Sequence, residues 1–225
     1  MARIVLLRHA HSVANEKNVL AGRTPGIALS KTGREQALQL VNRIGAVEFD
    51  EIAVSPMQRC RETIDPWLVA ASAQSRVVVD ESISEVDYGS WSGKTLASLR
   101  RKSQWKVVQE FPSQMIFPDG ESLLEMQGRA LSGFYRLNSL KGRRPRLMVS
   151  HGDVIKSIVA HCLGMHLDQF QRLVIEPASI TIIDTDEGMS RLVRFNDAKG
   201  FLSSGSSTTG THESALGGST GNSDK

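Results

Sequence analysis

Short apolar runs alternate along the chain with segments in which apolar residues recur every three or four positions. The apolar runs predict β-strands, which lie at residues 4–7, 51–55, 76–79 and 146–149. Two later runs predict a closing hairpin, at residues 179–184 and 190–195. The three-to-four-residue periodicity predicts helices, as in the apolar stripe from Ala37 to Ile44. This alternation is typical of an α/β fold with a largely parallel sheet.

The predicted helices carry start and stop signals. Thr32 and Glu35 have the spacing of a capping box, and we expect them to open the first long helix. A second helix is predicted to begin near Gln58 and to break near Pro66, because proline cannot continue the helical hydrogen-bond pattern. Further helical periodicity lies at about residues 95–110, 121–140 and 153–163.

The end of the chain differs in composition from the rest. From residue 203 it consists almost entirely of Gly, Ser, Thr and small polar residues, which cannot bury enough apolar area to offset the entropy of ordering. We therefore predict one domain over residues 1–202 and a disordered tail over 203–225. The 225 residues are 40% hydrophobic and 23% charged, which excludes collagen-like, wholly disordered and coiled-coil proteins.

Charge and cysteine content exclude several classes of function. The net charge of +3 comes from scattered Lys and Arg residues without interleaved aromatic residues, so we expect no nucleic-acid partner. The apolar runs are too short to cross a bilayer and the first residues lead directly into a strand pattern, so we expect a cytoplasmic protein without a membrane partner. Cys60 and Cys162 lie far apart and predict neither a zinc knuckle nor a disulfide framework.

Three predicted strands are followed directly by residues with reactive or anion-binding side chains. Arg8 and His9 follow the first strand, Arg59 lies just after the second, and His151 follows the strand at 146–149. Ligand sites in α/β sheets lie outside the carboxyl ends of the strands, so we expect these four side chains to converge. The two arginines and the N-terminus of the helix after His151 would bind an anion such as phosphate.

A histidine inside such a phosphate site can attack phosphorus through a neutral ring nitrogen and form a phosphoramidate. We predict His9 as this nucleophile and His151 as a hydrogen-bond donor to a non-bridging phosphate oxygen. The leaving alkoxide needs a proton, for which Glu85 is the best candidate and Asp87 the alternative. Both carboxylates lie in a loop of turn-forming and aromatic residues after the third strand.

Five motifs resemble those of the histidine phosphatase superfamily, which includes cofactor-dependent phosphoglycerate mutases and many phosphatases. Each motif is weak alone, but the five occur in the family's order and on the expected elements. They are Leu7-Arg8-His9-Ala10-His11-Ser12-x-x-Asn15, Ser55-Pro56-x-x-Arg59-Cys60-x-x-Thr63, Glu85-x-x-x-Gly89-x-Trp91-x-Gly93, Gly120-Glu121-Ser122 and Ser150-His151-Gly152-Asp153. The chain departs from the family at Ala10, where Gly is common, and at His11, where Glu is frequent. Alanine restricts φ to negative values, so a slightly altered first loop is expected.

The resemblance implies a three-layer α/β/α fold of the phosphoglycerate mutase type and a reaction without metal or other cofactor. It implies that His9 is phosphorylated and that Glu85 is the proton donor and then the general base for water. The same resemblance implies a set of residues that bind phosphate or approach the substrate, namely Arg8, Asn15, Gly22, Arg23, Arg59, His151 and Gly152.

The length of the segment between Glu85 and His151 differs between two activities of this family. Mutases usually carry a longer segment there, which covers the site and retains the intermediate, whereas the shorter segment here resembles that of phosphatases. We therefore favour a metal-independent hydrolase acting on a small-molecule phosphate monoester. A phosphoglycerate mutase-type phosphotransferase and a non-catalytic phosphate-binding or interaction protein are the alternatives. The loops at 20–26 and 94–122 are expected to set specificity, and the predicted lining of the substrate entrance is Trp105, Phe111, Met115 and Phe117.

Other chemistries fit the pattern less well. The sequence His9-x-His11 could suggest a metal, but no carboxylate cluster completes a ligand shell. Neither Cys60 nor Cys162 is followed six residues later by the arginine that a thiolate phosphatase loop needs. Glu121 is predicted to begin a helix or to support the acid rather than to act as a second acid.

Overall fold

The computed structural model describes residues 2–71, 75–186 and 188–202, and these residues form a six-stranded sheet. The strands are β1 (Ala2–Arg8), β2 (Glu51–Val54), β3 (Arg76–Val79), β4 (Arg146–Ser150), β5 (Ile180–Asp186) and β6 (Met189–Asp197). Their order is β3-β2-β4-β1-β5-β6, in which the first four strands run parallel and the last two are added antiparallel. The mostly parallel sheet and the closing hairpin are thus as predicted.

Seven α-helices occur within the described residues. They are α1 (Val13–Glu16), α2 (Lys31–Ile44), α3 (Gln58–Ala70), α4 (Leu96–Leu99), α5 (Gln104–Glu110), α6 (Leu123–Asn138) and α7 (Gly152–Cys162). Short 3-10 helices are found at Glu81–Ile83, Gly89–Trp91, Pro112–Gln114 and Leu167–Arg172. The long helices α2, α3, α6 and α7 cover the sheet, and the short ones lie in the loops.

Helices cover both faces of the sheet, which explains why its central strands are continuous apolar runs. Side chains alternate along β1: Ile4 and Leu6 belong to the core cluster that contains α6 and α7. Val5 and Leu7 belong to the opposite cluster, which contains α2 and α3. The three-layer α/β/α fold is therefore confirmed. Each buried Leu or Ile adds about 1.5–3 kcal/mol to the free energy of unfolding through its removal from water.

The start of α2 differs from the prediction. Ser30, and not Thr32, is the N-cap, and its Oγ accepts a hydrogen bond from the Gly33 amide at 3.1 Å. The Ser30 amide also donates to the His11 carbonyl at 2.9 Å, so the loop after β1 decides where the helix begins. A Cβ on Gly33 would lie 1.9 Å from the His11 oxygen, so only glycine permits this close approach.

The predicted break of the second helix at Pro66 is wrong. Helix α3 continues through Pro66 to Ala70. Its buried face includes Ile64 and Trp67, which pack in the same core cluster as α2 and the sheet. The gain from this packing exceeds the cost of the one backbone hydrogen bond that proline removes.

The segment 94–122 differs from the predicted apolar substrate entrance. It forms two short helices, α4 and α5, where continuous helical periodicity was predicted. Met115 and Phe117 are each only 2% exposed and pack into the core, whereas Phe111 is exposed. The apolar character of this segment therefore serves mainly to cover one face of the sheet.

The predicted tail at 203–225 lies outside the described residues. The last described contact of the chain is the hydrogen bond from the Leu202 amide to the Arg43 carbonyl, at 2.7 Å. Among the helices in the described ranges, none combines the length and the apolar character that a membrane span requires.

Candidate active site

The carboxyl ends of β1, β2 and β4 meet at one edge of the sheet, where the predicted histidines and arginines converge. The register pairs Arg8 with Ser150, so the residues that follow these two positions are neighbours. The rings of His9 and His151 lie 5.2 Å apart between centroids. Arg59 Nη2 is 3.2 Å from His151 Nδ1, and Glu85 Oε2 is 3.6 Å from the same nitrogen.

His9 is held as a neutral imidazole with one nitrogen free to react. Its Nδ1 lies 2.8 Å from the Ala10 carbonyl oxygen, which can only accept, so Nδ1 carries the proton and Nε2 the lone pair. Burial, followed by the positive charges of Arg59 and Arg8, holds the pKa of His9 well below its ordinary value. At neutral pH Nε2 is therefore available as a nucleophile.

The two departures from the family pattern are accommodated without strain. The Ala10 backbone does not adopt a positive φ, and its amide donates to Thr63 Oγ1 at 2.8 Å. Thr63 Oγ1 in turn donates to the Arg59 carbonyl at 2.6 Å, which ties the loop after β1 to α3. The His11 ring lies 2.8 Å from Ser30 Oγ, at the start of α2.

The two arginines present donors to the space beside His9. Arg59 is only 2% exposed, and its Nη2 donates to the Gly22 carbonyl at 2.9 Å. Arg8 donates from Nη1 to the Ile175 carbonyl, but its buried Nε has no hydrogen-bond partner among the described residues. A buried donor without a partner costs about 1–3 kcal/mol, so this group is arranged for an acceptor such as a phosphate oxygen.

Gly152, the first residue of α7, lies against the Arg8 guanidinium. A Cβ at this position would be 3.4 Å from Arg8 Cζ and Nε. The absence of a side chain leaves the N-terminus of α7 beside the arginine. Amide groups at a helix N-terminus and a guanidinium together favour an anion at this point.

His151 contacts polar side chains through both ring nitrogens. Because guanidinium groups only donate, Nδ1 accepts from Arg59, and Nε2 carries the proton and donates to Ser55 Oγ at 2.7 Å. Burial, then the charges of Arg59 and of His9, lowers the pKa of His151 well below its ordinary value. Cys60 Sγ lies 3.5 Å from Nε2, but burial raises the pKa of this thiol to about 12, so it stays protonated.

Glu85 is a carboxyl group poised between its two protonation states. Its Oε1 accepts from the Val86 amide at 3.0 Å, and the other oxygen faces His151. Burial, followed by the negative charge of Asp153, raises the pKa of Glu85 to about 7 against the opposing charge of Arg59. Such a group can release and recover a proton near neutral pH.

The same cluster contains residue types that can bind a metal ion, but the positive charges around it favour an anion. His9, Glu85 and His151 offer ligand atoms that all lie within 4.8 Å of one another. The guanidinium groups of Arg8 and Arg59 face both histidines and lower their pKa values, so they would equally repel a bound cation. The unpartnered Nε of Arg8 needs an acceptor, which a cation does not supply.

Comparison with known proteins agrees with this geometry. The sequence profile of the histidine phosphatase superfamily (branch 1) matches residues 4–198. The chain belongs to this superfamily. Phosphoserine phosphatase 1 of Hydrogenobacter thermophilus is 26% identical over 201 residues, which cover 87% of this chain and 92% of the relative. The probable phosphoglycerate mutase GpmB of Erwinia tasmaniensis is 27% identical over 186 residues, 82% of this chain and 85% of the relative. The structure of YhfR from Bacillus stearothermophilus has a TM-score of 0.81 and 26% identity, covering 88% of this chain and 98% of that chain.

Several predicted residues of this histidine phosphatase lie around the cluster and support its loops. Asn15 Oδ1 accepts from the Ser12 amide at 2.9 Å in the cap of α1. Arg23 donates from Nε to the Glu85 carbonyl at 2.9 Å and from Nη2 to Glu121 Oε1 at 2.9 Å. The alternative acid, Asp87, accepts at Oδ1 from the Gly89 amide at 3.0 Å and thereby stabilises its own turn.

Sequence reasoning missed Asp153 as a charged neighbour of the acid. The Asp153 carboxylate accepts from Tyr88 Oη at 2.8 Å and pairs with Lys156 Nζ at 2.9 Å. Burial would raise the pKa of Asp153, but the charge and hydrogen bond of Lys156 outweigh it and lower the pKa. The signal was present, since an acidic residue in the first turn of the helix after His151 lies close to that histidine along the chain.

Proposed function

We propose that this histidine phosphatase hydrolyses small phosphate monoesters without a metal, through a phosphohistidine on His9. The observation that carries the proposal is the hydrogen bond from His9 Nδ1 to the Ala10 carbonyl. It leaves the Nε2 lone pair free in a site that already holds two guanidinium groups and a helix N-terminus. Anion binding would require only the arginines. A neutral nucleophile and an acid with a pKa of about 7 are needed only if the site catalyses phosphoryl transfer.

In the first half-reaction, His9 Nε2 forms a bond to phosphorus as the bond from phosphorus to the ester oxygen breaks. Protonated Glu85 transfers its proton to the departing oxygen, so that an alcohol leaves. Arg8, Arg59 and the Gly152 amide stabilise the charge on the non-bridging oxygens. The approaching dianion also favours protonation of His151 at Nδ1, which then gives up the hydrogen bond it accepts from Arg59 and donates to a non-bridging oxygen.

In the second half-reaction, the Glu85 carboxylate accepts a proton from water as the water oxygen bonds to phosphorus. The bond between nitrogen and phosphorus breaks, its electron pair returns to His9 Nε2, and inorganic phosphate leaves. Glu85 is then protonated again for the next cycle. A pKa of about 7 suits both roles, because neither form of the group is rare at neutral pH.

Residues around the cluster complete the proposed substrate site. The Gly22 carbonyl holds the Arg59 guanidinium in place at 2.9 Å. Asn15 Nδ2 and Arg23 Nη1 have no hydrogen-bond partner among the described residues, and we assign them to contacts with phosphate and with the alcohol part of the substrate. Two relatives are named as a phosphoserine phosphatase and a phosphoglycerate mutase, which supports a small, charged phosphate ester as substrate.

The deciding experiment measures phosphate release from an aryl phosphate in the presence of EDTA. Wild type is expected to release phosphate, and His9→Ala to fall to the background rate while still binding inorganic phosphate by calorimetry. His161→Ala is the matched control, because this exposed histidine lies outside the cluster and its Nε2 is 2.9 Å from Tyr135 Oη. Release by His9→Ala at the wild-type rate would disprove the mechanism. Transfer to an acceptor without net phosphate release would indicate a mutase instead.

A further inference from the structure

Arg129 of α6 donates hydrogen bonds to the backbone that carries Glu85. Its Nη1 donates to the carbonyls of Ser82 at 3.0 Å and Ser84 at 2.6 Å. Its Nη2 donates to the Glu85 carbonyl at 3.0 Å and to Glu121 Oε1 at 2.5 Å. Its Nε donates to Glu121 Oε2 at 2.9 Å. All five N–H donors of the guanidinium are therefore used, three of them on backbone carbonyls of residues 82–85.

A second guanidinium shares the same partners. Arg23 donates to the Glu85 carbonyl at 2.9 Å and to Glu121 Oε1 at 2.9 Å. Glu121 also accepts from the Asp87 amide at 2.8 Å, so its carboxylate links both arginines to the loop. Burial would raise the pKa of Glu121, but hydrogen bonds from Arg129 and from the Asp87 amide outweigh it and lower the pKa. The network therefore stays charged at neutral pH.

These contacts replace the support that a strand or helix would give. Residues 84–88 belong to no helix or strand, so their carbonyls need donors from elsewhere in the molecule. Glu85 Oε1 bonds to the neighbouring Val86 amide, so the carboxyl group follows any movement of this backbone. A proton donor must lie within hydrogen-bond reach of the leaving oxygen, and a misplacement of about 1 Å can cost on the order of 100-fold in rate.

We propose that Arg129, with Glu121 as its counter-ion, is a positioning residue for proton transfer to the leaving group. It holds the backbone of Glu85 so that the carboxyl group meets the departing oxygen, and it takes no part in binding the phosphoryl group. The inference rests on the proposed function of Glu85 as the proton donor.

The test compares Arg129→Lys with Arg136→Lys. Lysine keeps the charge but supplies three donors on a flexible stem instead of a planar fork. Arg136 is a matched control because it lies on the same face of α6 and pairs with Glu51 at 2.6 Å and Asp80 at 3.0 Å, rather than with the Glu85 backbone. Glu121→Gln is a second variant, which removes the counter-ion and keeps the shape.

Each variant is assayed for kcat/KM on an alkyl phosphate and on an aryl phosphate with a good leaving group. Arg129→Lys and Glu121→Gln are expected to lose on the order of 100-fold on the alkyl ester and much less on the aryl ester, because a good leaving group departs without a proton. Competitive inhibition by inorganic phosphate is expected to stay unchanged. Arg136→Lys is expected to match wild type on both esters.

Hydrogen exchange provides a readout that does not need turnover. The amides of residues 84–88 are expected to exchange faster in Arg129→Lys than in wild type or Arg136→Lys. Equal losses on both esters with weaker phosphate inhibition, or unchanged exchange and activity, would overturn the proposal. A failure of the proposed function differs from this: wild type would release no phosphate, or Glu85→Gln would show no dependence on the leaving group.

Discussion

The two halves of the active site are built in different ways. The proposed phosphate-binding half includes Arg8, His9, Arg59 and His151, which lie at the carboxyl ends of buried parallel strands or in the first turn of a long helix. The acid half consists of Glu85 in an irregular loop, which side chains from α6 and from residue 23 hold in place. The backbone ladder of the sheet therefore fixes the first half, whereas hydrogen bonds from arginine side chains to the loop backbone fix the second.

This difference extends to the electrostatics of the two halves. His9 and His151 are 3% and 0% exposed, and their neutral forms are favoured by burial and by adjacent guanidinium groups. Burial and the charge of Asp153 on α7 raise the pKa of Glu85 to about 7. Changes in the acid half should therefore alter proton transfer while leaving phosphate binding intact, and changes in the phosphate half should affect every substrate.

The largest selective effect is expected for Glu85→Gln. The amide cannot donate an acidic proton, so kcat/KM on an alkyl phosphate should fall by roughly 10²- to 10⁴-fold. An aryl phosphate should lose much less, and inorganic phosphate should inhibit as in wild type. Steady-state kinetics on a series of leaving groups measures this dependence. Equal losses across the series would assign the proton to another group, such as Asp87.

Arg59→Ala should act on all esters alike. Its guanidinium contacts Gly22 and His151 within the phosphate half, so transition-state stabilisation should fall by about 3 kcal/mol whatever the leaving group. The measurement is kcat/KM for the same aryl and alkyl esters, together with the inhibition constant of phosphate. Arg61→Ala, on the exposed side of α3 and paired with Asp65, is the control. A loss confined to the alkyl ester would contradict the division into two halves.

The smallest effect is a displacement of the pH profile in Asp153→Asn. Proton donation requires protonated Glu85, so kcat/KM on an alkyl ester should decline as the pH rises through about 7 in wild type. Removal of the Asp153 charge lowers the pKa of Glu85 and moves this decline to lower pH. Lys156→Met removes the cation paired with Asp153, at 2.9 Å, and should move the decline in the opposite direction. Identical profiles for both variants would show that burial alone sets the pKa.

The strands, the long helices and the central residues of the site follow from the pattern of apolar and polar residues along the chain. Continuous apolar runs specify strands that are covered on both faces, and polar residues directly after such runs must lie at the carboxyl edge of the sheet. For this reason the sequence alone predicts that His9, Arg59 and His151 lie together. Glu85 was predicted as the proton donor from its place in the turn-forming loop after the third strand, and the resemblance of residues 85–93 implies the same role.

The remaining features depend on contacts between distant parts of the chain. Helix α2 begins at Lys31 because the His11 carbonyl accepts the amide of Ser30, the N-cap residue. Helix α3 continues through Pro66 because its Ile64 and Trp67 side chains are packed in the core. Arg129 lies 44 residues from Glu85 in sequence, and no local pattern connects the two. Local periodicity reports which face of an element is buried, but the partner of a side chain is known only when the elements are packed together.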